Sequence, residues 1–373
     1  MGRISLRLLY FSGGYTTHDR RFLEAFVASG FEVNYLRLLD QRLDCRNLPD
    51  GVTALSWVGD TLGLHEFSDY YQRFAALRQI LNDLRPDAVV AGPVQTSAFL
   101  VALTQYRPVI TMSWGSDLLV YADQSSRMMA RTRYTLNSSS GVLGDCDAVR
   151  KKVHSLTDIS DERIVTFPWG IDLQQFTPDP NPSVIRESLG WEQNSVLIST
   201  RSWEPLYRID VLVNAFAILH QTNPKSRLIL LGDGSESKKV LRLISELGLE
   251  DLIHAPGRIG YESLSAYFRS ADLYVSSALS DGTSISLLEA MATGLPVVVT
   301  DSYGNREWVT NGKNGWLASP DNALALGEVL KEALSDSDRL QRIKELNIEL
   351  AREKADWNNN FPKLVTLIRQ VVK

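Results

Sequence analysis

The stretch Asp281–Asp301, DGTSISLLEAMATGLPVVVTD, decides how the chain is read. Asp281-Gly282-Thr283-Ser284 is a polar turn containing one glycine. Ser284 to Met291 then has helical spacing, with Leu287, Leu288 and Met291 as its apolar face. Gly294-Leu295-Pro296 stops that helix, and Val297 to Thr300 is an apolar run of strand length. Serine or threonine at entry and glycine at exit are the expected punctuation of a helix. The free N–H groups and dipole at such a helix start favour an anion, typically a phosphate. Glu289 follows Asp281 by eight positions, and Arg201, far upstream, is a candidate second phosphate contact.

Working outward, strand-like and helix-like runs alternate almost throughout, the pattern of parallel sheets flanked by helices. In the first half Ile4–Phe11, Glu32–Leu38, Ala88–Ala91, Val109–Ser113, Gly141–Gly144 and Ile164–Phe167 read as strands, with a short one near Val52–Val58. Helices are expected over His18–Ser29, Ser68–Leu84, Gln95–Leu103, after a turn at Trp114–Asp117 to about Thr135, and over Asp145–Leu156. Asp40 to Glu66 is poorly patterned. Pro168, Pro178, Pro180 and Pro182 with Gly170 mark a linker between two periodic blocks. In the second block Val196–Thr200, Arg227–Leu231, Ile253–Ala255 and Leu273–Ser276 read as strands, and Pro362–Val372 as a closing helix. The expected architecture is α/β, with two doubly wound parallel-sheet domains. Their limits are residues 1–168 and 169–355, with 356–373 packing back on the first.

A chain of 373 residues with 44% hydrophobic and 22% charged residues has globular composition. Up to Pro168 there are 18 basic and 18 acidic residues, and beyond it 21 and 26. The formal charge of −5 therefore arises wholly in the second half, and with no strongly basic domain nucleic acid is not the expected partner. Two cysteines, Cys45 and Cys146, imply no disulfide framework. Five histidines, His18, His65, His154, His220 and His254, lack zinc-ligand spacing. The start MGRISLRLLYF reads as a first strand rather than a signal peptide, and no run of about 18 apolar residues occurs. A cytoplasmic protein, with the inner membrane face as an optional location, is expected.

The block Leu288-Glu289-Ala290-Met291-Ala292 with Gly294-Leu295-Pro296-Val297-Val298 carries a family likeness. So do Phe167-Pro168-Trp169-Gly170-Ile171-Asp172, Gly232-Asp233-Gly234 and Ala271-Asp272-Leu273-Tyr274-Val275. Over nearly its full length the chain resembles the retaining family-4 glycosyltransferases (glycosyl transferases group 1). They have the GT-B fold, in which two Rossmann-like domains face each other across a cleft.

The resemblance implies a donor site for a nucleotide diphosphate-sugar. The family has two glutamates separated by seven residues, and here Asp281 stands in the first place and Glu289 in the second. The second carboxylate would bind the ribose hydroxyls and the first the transferred sugar. The backbone N–H groups of Gly282, Thr283, Ser284, Ile285 and Ser286 would meet the sugar and diphosphate. A carboxylate accepts two hydroxyl hydrogen bonds, and glycine lets backbone come close. The resemblance also implies an arginine and a lysine on the diphosphate. Arg201 takes the first role; Tyr207 falls at the lysine position with one residue inserted, and Arg208 beside it is a candidate second charge. Arginine suits phosphate because its planar fork binds two oxygens.

Arg258 sits where the family meets the base, and Glu307 near the donor, with a turn and a helix cap as the plainer readings. Gly13-Gly14 resembles the family's glycine loop facing the diphosphate. On the acceptor side, His18 opens the following helix. Trp114 replaces a histidine of many relatives and offers a flat face for a sugar or simply packs inside. Asp117 is a candidate hydroxyl acceptor. Arg127, Arg131 and Arg133 with Met128 and Met129 are either a solvated helix face or a weak phospholipid-surface contact.

The resemblance implies transfer of a hexosyl unit to the hydroxyl of a glycan, lipid-linked or small-molecule acceptor, with retained anomeric configuration. No Asp-x-Asp metal motif occurs, and no cofactor or metal is expected. The alternatives are an inactive nucleotide-sugar-binding partner subunit, or another enzyme of this fold such as a sugar-nucleotide epimerase.

Overall fold

The computed structural model describes residues 5–39, 47–60, 67–179 and 184–373. Ile4, Cys45, His65, Pro180 and Pro182 lie outside the described residues, as do residues 40–46 and 61–66 of the poorly patterned stretch. Contacts divide the chain into two compact units. One is Met1–Trp169 together with Asn358–Lys373, and the other is Gly170–Trp357.

The first unit holds seven strands: β1 (Arg7–Ser12), β2 (Glu32–Arg37), β3 (Val52–Ala54), β4 (Ala88–Ala91), β5 (Val109–Met112), β6 (Gly141–Gly144) and β7 (Ile164–Thr166). They lie side by side in the order β3-β2-β1-β4-β5-β6-β7, all pairings parallel. The second unit holds β8 (Ser195–Ser199), β9 (Ser226–Leu231), β10 (Ile253–Gly257), β11 (Leu273–Ser276), β12 (Val297–Thr300) and β13 (Trp316–Ala318). Their order is β10-β9-β8-β11-β12-β13, again parallel. The central strands are apolar on both faces, as a sheet sandwiched between helices requires. Leu8, Leu9, Val89 and Val90 in one sheet and Leu197, Ile198, Tyr274, Val275, Val298 and Val299 in the other are buried.

Each sheet reverses its order once, between β1 and β4 and between β8 and β11. In open sheets of this kind, ligands settle beyond the carboxyl ends of the strands at that reversal. Gly13 and Gly14 follow β1. Arg201 follows β8, and Asp281 lies in the segment that leads from β11 to the helix Ile285–Ala292.

Several elements depart from the sequence expectation. The strand foreseen over Val52–Val58 stops at Ala54, and a single 3-10 turn covers Val58–Asp60. Trp57 lies between them; its indole turns inward and Nε1 donates to the Arg37 carbonyl at 2.8 Å. The turn foreseen over Trp114–Asp117 and the helix foreseen after it, to about Thr135, are replaced by three pieces: Ser116–Leu119, a 3-10 turn Tyr121–Asp123, and Ser126–Asn137. Ser125 restarts the helix by accepting the Met128 N–H. The last helix begins at Trp357, ahead of Pro362. In the first unit its Phe361 packs against Phe22 and Phe26 with ring centroids 6.1 and 5.1 Å apart.

Candidate donor and acceptor sites

In the second unit, the helix Ile285–Ala292 starts at Ser284, whose hydroxyl accepts the Leu287 N–H. The same hydroxyl accepts Arg201 Nη1 at 2.6 Å, and Ser286 Oγ accepts it at 3.0 Å. Arg201 Nη2 lies 2.7 Å from Asp281 Oδ2, an ion pair whose N–H is not aligned for a hydrogen bond. Below the guanidinium is the Tyr207 ring, its centroid 4.2 Å from Cζ. Tyr274 on β11 completes the group, with its hydroxyl 3.0 Å from Ser286 Oγ.

Arg201 is 9% exposed, yet its Nε meets no acceptor among the described residues. A buried donor without a partner is costly, so this guanidinium edge is poised for an acceptor. Burial pulls the Arg201 pKa down; the Asp281 carboxylate, helped by the Tyr207 and Tyr274 phenols, outweighs it and holds the pKa above the ordinary value. Burial pushes the Asp281 carboxyl up from its ordinary value, against the pull of Arg201. The result is a fixed cation beside the amino end of a helix, the arrangement that stabilises an anion.

Glu289 is buried at 3% exposure on the same helix, one turn in from Ser286. Gly282, Thr283 and Ser284 are buried, and Ile285 and Ser286 are half-buried. The turn they form is braced from behind. A Cβ on Gly304 would stand 1.8 Å from the Gly282 carbonyl oxygen and 2.4 Å from that of Asp281, so only glycine fits. Trp308 Nε1 donates to Thr283 Oγ1 at 3.4 Å, and Asn305 Nδ2 donates to the Thr300 carbonyl at 2.8 Å. The sequence does not mark Gly304, Trp308 or Tyr274 as site residues, although Tyr274 lies in a segment that carries the family likeness. Glycine followed by asparagine and a nearby tryptophan is a weak signal without knowledge of what packs against it.

Arg208 does not join this group. It sits at φ 47° as the residue before the helix Ile209–Thr222 and pairs with Asp210, at 3.1 Å, and with Asp321. Its candidacy as the second diphosphate charge is therefore corrected: in this structure two carboxylates already hold it. Arg258 is exposed after β10, on the side of Asp233, and Glu307 is exposed at the end of the short helix Tyr303–Arg306.

In the first unit Gly13 and Gly14 are half-buried, and the Gly14 carbonyl accepts Ser12 Oγ at 2.8 Å. His18 and Trp114 both meet Trp169 edge to face, at 5.5 and 5.1 Å between ring centroids. Trp114 is half-buried, and Gly92 makes room for it: a Cβ there would stand 2.2 Å from the indole. Asp117 is 3% exposed and faces inward. It accepts the Val94 N–H at 2.9 Å, the Ser113 hydroxyl at 2.6 Å and the Leu118 N–H at 3.0 Å. The sequence offered it as an acceptor ligand, and the structure corrects that to a brace for its own turn, because its oxygens are already committed. Arg131 lies over Phe99, 4.6 Å from the ring, and donates to the Gln95 carbonyl, leaving Arg127 and Arg133 as the exposed basic residues of that helix.

Among the described residues, no cluster of three or more His, Cys, Asp or Glu side chains could hold a metal. Among them, too, no helix is long and apolar enough to cross a membrane.

The family description "Glycosyl transferases group 1" matches residues 183–349, and "Glycosyl transferase 4-like" matches residues 7–145. The chain belongs to the group 1 glycosyl transferases. This group 1 chain is 28% identical over 218 residues to mannosylfructose-phosphate synthase of Agrobacterium fabrum, covering 56% of the chain and 48% of that protein. It is 26% identical over 210 residues to the GDP-mannose-dependent alpha-(1-6)-phosphatidylinositol monomannoside mannosyltransferase of Mycolicibacterium smegmatis, covering 54% and 55%. The chain thus spans about half the length of the curated relatives it matches. Among solved structures, sucrose-phosphate synthase from Thermosynechococcus elongatus superposes with a TM-score of 0.80 at 17% identity, covering 98% of both chains. Anabaena HepE in complex with UDP-glucose gives 0.77 at 19% identity, covering 97% of this chain and 99% of the other. These likenesses establish the GT-B fold.

Proposed function

We propose that the chain transfers a hexosyl unit from a nucleotide diphosphate-sugar to an acceptor hydroxyl, keeping the anomeric configuration, in glycan, glycolipid or cell-envelope polysaccharide assembly. The observation that carries this reading is the buried Arg201 guanidinium, whose Nε has no partner among the described residues, beside the amino end of the helix Ile285–Ala292. As the sugar leaves, negative charge grows on the diphosphate, and this cation and the helix N–H groups stabilise it. Glu289 takes the ribose hydroxyls and Asp281 lies by the transferred sugar. The acceptor proton passes to the departing phosphate oxygen on the same face of the sugar. Arg201 supplies the positive charge, so no metal is needed. The first unit, with Gly13-Gly14, His18 and Trp114, takes the acceptor side.

Purified protein should release nucleoside diphosphate from one of a panel of UDP-, GDP- and ADP-sugars when a suitable acceptor is present. The release should persist in EDTA, and the product's anomeric proton coupling should match the donor's. A folded Arg201→Ala/Glu289→Ala variant should bind none of these nucleotides. Undiminished affinity and turnover in that double variant would refute the assignment.

A second reading is an inactive nucleotide-sugar-binding partner subunit. It is favoured by Arg208, which is held by Asp210 and Asp321, and by Trp114 at the position where the family resemblance implies a histidine. Tight nucleotide binding with no turnover across a broad acceptor panel would select it.

A further inference from the structure

The lysine position of the family resemblance is occupied here by Tyr207, and the neighbouring arginine is paired elsewhere. The local chain is built to hold this tyrosine still. Pro205–Tyr207 is a 3-10 turn that starts on proline. The Leu279 N–H donates to the Leu206 carbonyl at 2.9 Å. Ser277 Oγ donates to the carbonyls of Tyr207 and Arg208, each at 2.8 Å. The segment after β11 therefore fixes the backbone that carries the ring. Arg201 lies over that ring at 4.2 Å, in the range where a cation is drawn to the negative face of an aromatic.

We propose that Tyr207 is a positioning residue for the donor: its ring fixes the Arg201 guanidinium, so that the diphosphate is met by one oriented cation instead of two. This inference rests on the donor reading above. The ring and the two serine hydroxyls hold the plane and one edge of the guanidinium. Nη2 faces Asp281, and Nε meets no acceptor among the described residues. An arginine so constrained loses little freedom when the phosphate arrives, and a constrained group binds more tightly for that reason.

The test compares Tyr207→Phe with Tyr207→Leu in the full chain, by calorimetric titration with UDP, GDP and ADP. Arg201→Ala serves as the reference. The phenylalanine variant keeps the aromatic face, and its affinity for the best nucleotide should stay within about twofold of the parent. The leucine variant fills much of the same volume without that face, and should bind about three- to tenfold more weakly. The 15N signal of the Arg201 side chain should move in the leucine variant and hold in the phenylalanine one. If the leucine variant does not fold, Tyr207→Met takes its place. Equal affinity in parent and leucine variants, or equal losses in the leucine and phenylalanine variants, would overturn the role of the ring. If Arg201→Ala itself binds normally, the donor reading has failed; if it loses binding while the leucine variant does not, only the role of Tyr207 has.

Discussion

Asp281 Oδ2 stands 2.7 Å from Arg201 Nη2, so a carboxylate neutralises the cation that the donor site depends on. The pair places an internal anion in competition with phosphate for one guanidinium. Asp281→Asn should therefore raise affinity for a free nucleoside diphosphate by several-fold, measured by titration, while lowering turnover through the lost sugar contact. Weaker nucleotide binding in that variant would mean the carboxylate orients Arg201 more than it competes with it.

The same carboxyl has a folded-state pKa above its ordinary value, burial outweighing the attraction of Arg201. The folded chain thus binds that proton more tightly than the unfolded chain does. Its contribution to stability is complete below the ordinary carboxylate value and is lost as pH rises through the raised one. Asp281→Asn should flatten the dependence of unfolding free energy on pH across that window, read by denaturant titration at several pH values. An unchanged slope would locate the linkage at other buried carboxyls, such as Asp19 and Asp117, whose values burial also raises.

Arg201→Lys keeps the charge and loses the fork. One ammonium cannot serve Ser284, Ser286 and Asp281 while also lying flat over Tyr207. Nucleoside diphosphate affinity should fall by about tenfold or more, by titration calorimetry. Retention of affinity would mean that point charge alone suffices.

Gly304→Ala drives a Cβ against backbone, 1.8 Å from the Gly282 oxygen, and backbone has no rotamer to give. The variant should lose about 1–3 kcal/mol of stability in denaturant titration, and donor affinity should fall with it as the turn is displaced. A stable variant with parental affinity would show that the turn yields at no cost.

Asp117→Ala strips the acceptor from the buried Val94 N–H and from the Ser113 hydroxyl, while the Leu118 N–H keeps the Gly115 carbonyl at 3.1 Å. About 1–3 kcal/mol should be lost for each donor left unsatisfied, again by denaturant titration. A change within experimental error would mean that water or a shifted turn replaces the carboxylate.

What was legible in the sequence follows from period and punctuation. Strands such as Val297–Thr300 are apolar throughout, and the helix beside them begins on serine and ends at glycine, so its limits could be read to within a residue. The break at Ser125 could not, because a serine caps a helix only if the chain before it turns away. Side-chain direction was equally hidden. Asp117 and Arg208 have the right residue type near the right strand ends, but one partner of each, Val94 and Asp321, is far off in sequence. Tyr207 was noticed only as a departure from the family pattern; its service as a platform depends on hydrogen bonds from Ser277 that no local rule encodes.

Gly170, at φ +63°, lies 2.8 Å by its would-be Cβ from Trp357, and Ile171 bridges to Asp356, so the outgoing and returning chains run side by side. One unit is thus spliced into the other, and the consequence is one of timing. As the chain leaves the ribosome, residues 170–357 become available as an uninterrupted run. The earlier-made unit must wait for its last helix before Phe22 and Phe26 are covered by Phe361. The portion synthesised first is the one completed last.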